Sequence, residues 1–147
     1  MIRPGRPADA DAIGALWRAY TGELASVGDG AKRDEATFLA ALQRRIAAGD
    51  VRIGVEGDAV VGYIVWQVRS TAAGRSLVVT DLYVAPDERG QRVVSGLLAR
   101  ALDRARSDHL DEVEGMAGLD DRAAHGLMHS YGFVRRGDTL VRGLGVA

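Results

Sequence analysis

The chain has 147 residues, a formal net charge of -1, 47% hydrophobic and 27% charged residues, and no cysteine. That is the size and mix of one soluble globular domain, long enough to bury roughly 70% of the surface its unfolded form exposes. Near-neutrality argues against salt-driven attraction to nucleic acid or an acidic membrane, and the lack of cysteine excludes disulfides, thiolate zinc sites and a cysteine nucleophile.

In chain order, Ile2 and Arg3 suggest a short first strand ended by Pro4 and Gly5. Pro7 then sets up a helix start, with Asp9 and Asp11 in a first turn that favours negative charge. Ile13, Leu16, Trp17, Tyr20 and Leu24 recur at helical spacing and form one apolar face. The run from Ser26 to Gly30 breaks that helix. A second is expected after Asp34 as N-cap, with Phe38, Leu39, Leu42 and Ile46 on one side.

The period then changes. Residues 51–55 and 60–68 read as strands joined by a hairpin at Glu56, Gly57 and Asp58, and residues 76–84 as a third strand entered through Ala72, Ala73 and Gly74. After Gly90 a helix is expected to bury Val94, Leu97, Leu98, Ala101, Leu102 and Ala105. Residues 113–119 follow as a strand and 120–130 as a short helix, with a final hairpin from 133–135 and 139–144. The fold class is α+β: a mixed, mostly antiparallel twisted sheet flanked by helices. Its one parallel βαβ unit spans residues 76–119 and should be right-handed. No repeat or linker interrupts the expected single domain, residues 1–147.

The segment DLYVAPDERGQRVVSGLL, residues 81–98, carries the chemistry. A strand, a proline turn and an Arg-Gly loop lead directly into a helix, so the unpaired N–H groups and positive dipole end of that helix meet the strand end, where an anion can be held. Val84, Pro86, Arg89, Gly90, Leu97 and Leu98 resemble the acyl-CoA-binding motif of the GNAT family of N-acetyltransferases, and the order of elements is similar over nearly the whole chain. Two glycines of that motif are replaced, by Arg92 and Val94. A second family motif is similar at Ala124, Leu127, Gly132 and Phe133, with Met128 where the family commonly has a tyrosine.

The resemblance implies acetyl-CoA as cofactor. It also implies direct attack of a primary amine on the thioester with no covalent enzyme intermediate, the acceptor being a small molecule or a peptide N-terminal or side-chain amine. Arg89, Gly90, Gln91, Arg92, Val93, Val94 and Ser95 would hold the diphosphate, and the main chain of Leu82, Tyr83 and Val84, near a bulge, would polarise the carbonyl. Val94, β-branched, could obstruct a close backbone approach and would resist a left-handed conformation. Arg92 could grip a phosphate or simply be a solvated first-turn residue.

Asp81 is the candidate base, a carboxylate in an apolar strand beside the reaction centre. It could equally tether a neighbouring strand or helix end, and some relatives have Glu-Asp where this chain has Thr80 and Asp81. For the acid, Tyr131 lies one helical turn beyond Met128 and would substitute only in a shifted helix. His129, Ser130 or water are alternatives.

Trp17, Tyr20 and Glu23 belong to the N-terminal helices that line the acceptor side in the family, although their spacing equally suits a core. The pair His125 and His129 lacks any H-E-x-x-H context, so no metal is expected. The expected setting is the cytoplasm, and exposed strand edges leave a homodimer open. The replacements at Arg92, Val94 and Met128 also leave open another class of function, a non-catalytic GNAT-fold binding or interaction module with a degenerate CoA site.

Overall fold

A computed structural model describes residues 1–26, 34–88, 91–115, 128–136 and 139–144, and within them every side chain except those of 24–26, 91 and 135. Seven strands, β1 (Ile2–Pro4), β2 (Val51–Glu56), β3 (Ala59–Thr71), β4 (Gly74–Val84), β5 (Glu112–Gly115), β6 (Val134–Arg136) and β7 (Thr139–Gly143), hydrogen-bond in the order β1-β2-β3-β4-β5-β7-β6. The helices are α1 (Ala10–Ser26), α2 (Glu35–Ala47) and α3 (Gln91–Ser107). Strand β5 lies parallel to β4, from Ser76↔Glu112 to Val79↔Gly115, while β1–β2, β2–β3, β5–β7 and β6–β7 are antiparallel. The mixed α+β architecture with one parallel pair is therefore present. The segments expected at 26–30 and 116–127 lie wholly or partly outside the described residues.

The chain forms two compact units, one of residues 1–65 and 81–99, the other of residues 66–80 and 100–147. In the first, α1 and α2 cover one face of the sheet, burying Ala10, Ile13, Trp17, Leu42 and Ile46 against Val51, Ile53, Tyr63, Val65 and Tyr83. Trp17 stacks on Phe38 with ring centroids 5.0 Å apart, so this tryptophan is core. The start of α1 is secured by Asp9, which accepts from both terminal nitrogens of Arg3 at 2.9 and 3.0 Å and from the backbone N–H of Arg6 at 2.7 Å. Those contacts, led by the hydrogen bonds from Arg3, hold the Asp9 carboxyl below the ordinary carboxylate range. Asp34 caps α2 as expected, accepting from the Ala36 N–H at 3.1 Å and the Thr37 hydroxyl at 2.7 Å.

The other face of the same unit carries α3. Gly54 of β2 and Gly62 of β3 are paired directly, and both lie under Val93. A Cβ on Gly54 would stand 2.6 Å from Val93 Cγ1, and one on Gly62 would stand 3.3 Å from it. Gly96 repeats the device one turn on, with Ile2 Cγ1 2.7 Å from where its Cβ would be. The first turn of α3 thus rests on bare backbone. The pairing of the two glycines depends on a bulge. The ladder Glu56↔Ala59, Val55↔Val60 shifts by one residue to Gly54↔Gly62, leaving Val61 as the extra residue. The freed Val61 carbonyl accepts the Ala85 N–H at 2.8 Å, just past the end of β4.

In the second unit, β5 carries Glu112 and Glu114 on one face. Arg136 donates to Glu112 at 2.8 and 3.2 Å and to Glu114 at 3.1 Å, and Arg69 donates to Glu114 at 2.5 Å. Glu114 is buried, so the pairing is what makes its charge tolerable there. Arg136 above all, against the opposing pull of desolvation, sets the Glu112 carboxyl below its ordinary range.

Candidate active site

The junction between β4 and α3 assembles most of the residues singled out by the sequence. Strand β4 ends at Val84, Pro86–Glu88 form a single 3-10 turn, and α3 begins at Gln91. Arg89 and Gly90 lie outside the described residues, as does the side chain of Gln91. The backbone N–H groups at the start of a helix have no partner within it, and the dipole adds positive potential there.

Arg92 is exposed and lines a hollow of about 250 Å³ with Met1, Ile2, Glu56 and Val93. The side chain of Val93 is buried against Gly54 and Gly62, which leaves its main chain as the part that would face a ligand. Val94 is also buried, and it lies in ordinary right-handed helix. Among the described residues the one non-glycine with positive φ is His109, so Val94 is not asked to adopt the left-handed conformation it would resist. Ser95 is half-buried.

Toward the end of β4 residues of both faces are buried, since in this unit helices cover the sheet on both sides. Val84 points toward Gly62 beside Val93, and Leu82 is half-buried. Tyr83 enters the α1–α2 face and is 4% exposed. Asp81 is half-buried rather than enclosed in the strand.

Sequence reasoning missed what Tyr83 does. Its hydroxyl donates to Glu23 Oε1 of α1 at 2.7 Å, and its ring lies against Tyr20 with centroids 5.3 Å apart. Tyr20 and Glu23 are thus joined to the strand that carries Asp81. Helical spacing marks both residues but does not decide between core and pocket.

Tyr131 belongs to the second unit, in the turn after the helical residues 128–130, where its N–H donates to the Met128 carbonyl at 3.0 Å. Met128 is buried, its Cε 2.5 Å from where a Cβ on Gly115 would stand. Gly132, at φ +87°, and the buried Phe133 close that turn as packing elements. Among the described residues no group of three or more His, Cys, Asp or Glu is placed to hold a metal ion, and no helix is long and apolar enough to cross a membrane.

The described backbone at the head of α3 is compatible with a diphosphate: from Gln91 on it is ordinary helix, its two valines are turned inward, and its arginine is outside. The family model of the acetyltransferase (GNAT) family matches residues 13–133. No individual curated protein matches the sequence significantly.

Among solved structures, the Salmonella typhimurium protein yncA with its cofactor acetyl-CoA superposes with a TM-score of 0.77 at 22% identity, over 100% of this chain and 95% of that one. Ribosomal-protein-alanine N-acetyltransferase from Brucella melitensis gives 0.73 at 23% identity, over 96% of each chain. A chain of the NatC complex bound to Gag peptide and CoA gives 0.79 at 17% identity, over 99% and 98%. At such identities these likenesses speak for the fold, whereas the family model spans most of the sequence. The chain belongs to the GNAT acetyltransferase family, whose acyl carrier is acetyl-CoA.

Proposed function

We propose that this chain, as one cytoplasmic domain, transfers an acetyl group from acetyl-CoA to a primary amine of a small molecule or peptide, by direct attack and without a covalent enzyme intermediate. The observation that carries the reading is the β4–α3 junction, where α3 begins at Gln91, a few residues beyond the end of β4 at Val84, with Val93 and Val94 facing inward. When bound, acetyl-CoA supplies an activated acyl group on a thiol that leaves readily.

The residues divide the remaining work. First-turn N–H groups of α3 hold the diphosphate, and Arg92 adds a charge-assisted contact in place of a glycine's closer backbone approach. A cation at a helix N-terminus costs a few tenths to about 1 kcal/mol unless an anion is present; that cost is consistent with an anion there. The main chain of Leu82, Tyr83 and Val84 orients and polarises the acyl carbonyl. Asp81 accepts a proton from the acceptor's ammonium, directly or through water, and the free amine so formed attacks. Water suffices to protonate a thiolate whose thiol has a pKa of about 8.5, and Tyr131 is the hydroxyl that the family resemblance offers instead. Most of the rate would come from positioning.

Met128 favours a second reading. A buried thioether at the position of the family's acid cannot give a proton, which suits a GNAT-fold module that binds CoA without turnover. A thiol-release assay with a panel of primary amines separates the two. Release that tracks the added amine supports the enzyme; CoA binding with no amine-dependent release would replace it with the module.

A further inference from the structure

We propose that Gly62 is a positioning residue for the acyl transfer: its bare Cα lets the end of β4 and the first turn of α3 rest on one point, and so sets the separation at which the two ends of the cofactor are met. The inference rests on the acetyl-transfer reading and adds a residue that lies outside the β4–α3 segment.

Gly62 lies under both halves of the site. A Cβ there would stand 3.0 Å from the Tyr83 carbonyl oxygen, 3.0 Å from Val84 Cγ2 and 3.3 Å from Val93 Cγ1. Non-bonded carbon atoms pack best at about 3.5–4.0 Å, so each neighbour would have to retreat. The first two belong to the strand end assigned to the acyl carbonyl, the third to the helix turn assigned to the diphosphate. Gly54, directly opposite on β2, meets the helix half instead: the three atoms nearest to its Cβ would belong to Val93 and Ile2. The bulge arranges this, because the extra residue Val61 brings Gly62 opposite Gly54 with both turned toward α3.

The two valines can relieve a clash by moving side-chain atoms, whereas the Tyr83 oxygen moves only with its peptide. That peptide is a planar unit, so the Val84 N–H on its other side moves too. The strand end is not free to slide away whole. Just beyond it the Ala85 N–H donates to the Val61 carbonyl at 2.8 Å, which anchors the chain to the residue before Gly62. A methyl at Gly62 would therefore tilt the Tyr83–Val84 peptide, and groups that stabilise developing charge lose their effect when they are misplaced.

Two double variants separate the halves, because Val93→Ala removes the Cγ1 that both glycines face. Relative to Val93→Ala, Gly54→Ala/Val93→Ala should keep kcat, whereas Gly62→Ala/Val93→Ala should lower it about fivefold or more. Kd for CoA, which has no acyl group, should stay the same in both, a split that a general loss of packing would not produce. Infrared spectroscopy of acetyl-CoA isotope-labelled at the acyl carbonyl reads the same contact without turnover. The carbonyl band should fall in frequency on binding to the parent and to Gly54→Ala/Val93→Ala, and return toward its solution value in Gly62→Ala/Val93→Ala.

The same band and the same kcat in both double variants overturn the assignment, as does a loss of CoA affinity that accounts for the whole effect. If Gly62→Ala/Val93→Ala does not fold, adding Val84→Ala removes the second side-chain contact, and the comparison is made with Val84→Ala/Val93→Ala. A Gly62-dependent band in a protein that releases no thiol would sink the acetyl-transfer reading and leave the positioning of the carbonyl standing. Amine-dependent release with equal kcat in both double variants would sink the positioning role alone. No binding of acetyl-CoA by the parent overturns both.

Discussion

Arg92 is where this chain departs furthest in charge from the glycine-rich form of its family motif, and its exposure at the head of α3 makes the consequence measurable. If it contacts the diphosphate, Arg92→Gly should weaken CoA binding by about 1.5 kcal/mol, roughly tenfold in Kd, and flatten the salt dependence of binding. An unchanged Kd would make it a solvated first-turn residue. Asp81→Asn should shift or flatten the acid limb of the kcat/KM profile if the carboxylate takes the amine's proton; an unaltered profile removes it from that role. Residue identities marked the proposed anion site and the candidate base, because each rests on a local run of sequence. The Glu23–Tyr83 bond was not legible, since it joins residues 60 apart and requires α1 to lie against β4.

At the scale of elements, α3 is seated by glycines rather than by matched side chains. Gly54→Ala would place a Cβ 2.6 Å from Val93 Cγ1, and overpacking of that kind costs about 1–3 kcal/mol. The double variant Gly54→Ala with Val93→Ala should recover part of the loss, a coupling of at least about 0.5 kcal/mol in a denaturant double-mutant cycle. Strict additivity would contradict the packing described. Among the described residues, most strands, the three long helices and the Asp34 cap were readable from period and cap chemistry. The seat of α3 was hidden by the bulge: the register set at Glu56↔Ala59 would bring Gly54 opposite Val61, and only the shift at Gly54/Val55 brings it opposite Gly62. The packing of Val93 was hidden for the same reason, because nothing local shows that a valine in the first turn of a helix faces a pair of bare glycines.

For the whole molecule, three carboxyls tie stability to acid. The carboxyls of Asp9, Asp34 and Glu112 are all held below their ordinary values, chiefly by hydrogen bonds from Arg3, Thr37 and Arg136 respectively. Below ordinary carboxylate pKa values the unfolded chain therefore binds protons that the folded chain still refuses, so stability rises with pH there. Their contribution is fully present above about pH 4.5 and is lost as pH falls through the depressed folded values. Arg136→Ala should lower stability near pH 7, by less than the loss of a fully buried partner would, because the arginine is largely exposed and Arg69 still faces Glu114. Denaturant unfolding at several pH values should also show a shallower loss of stability below pH 4.5 in that variant. A steeper loss would contradict the assigned direction of the Glu112 shift.

The measurement that bears most directly on the central claim is calorimetric titration of acetyl-CoA into the parent protein and Val94→Gly. The account predicts Kd in the micromolar range, about -8 kcal/mol, for the parent, with Val94→Gly no tighter, since the valine is already turned inward. No binding by the parent, restored by Val94→Gly, would mean that the valine closes the cofactor site, and the proposed acetyl transfer would fall with it.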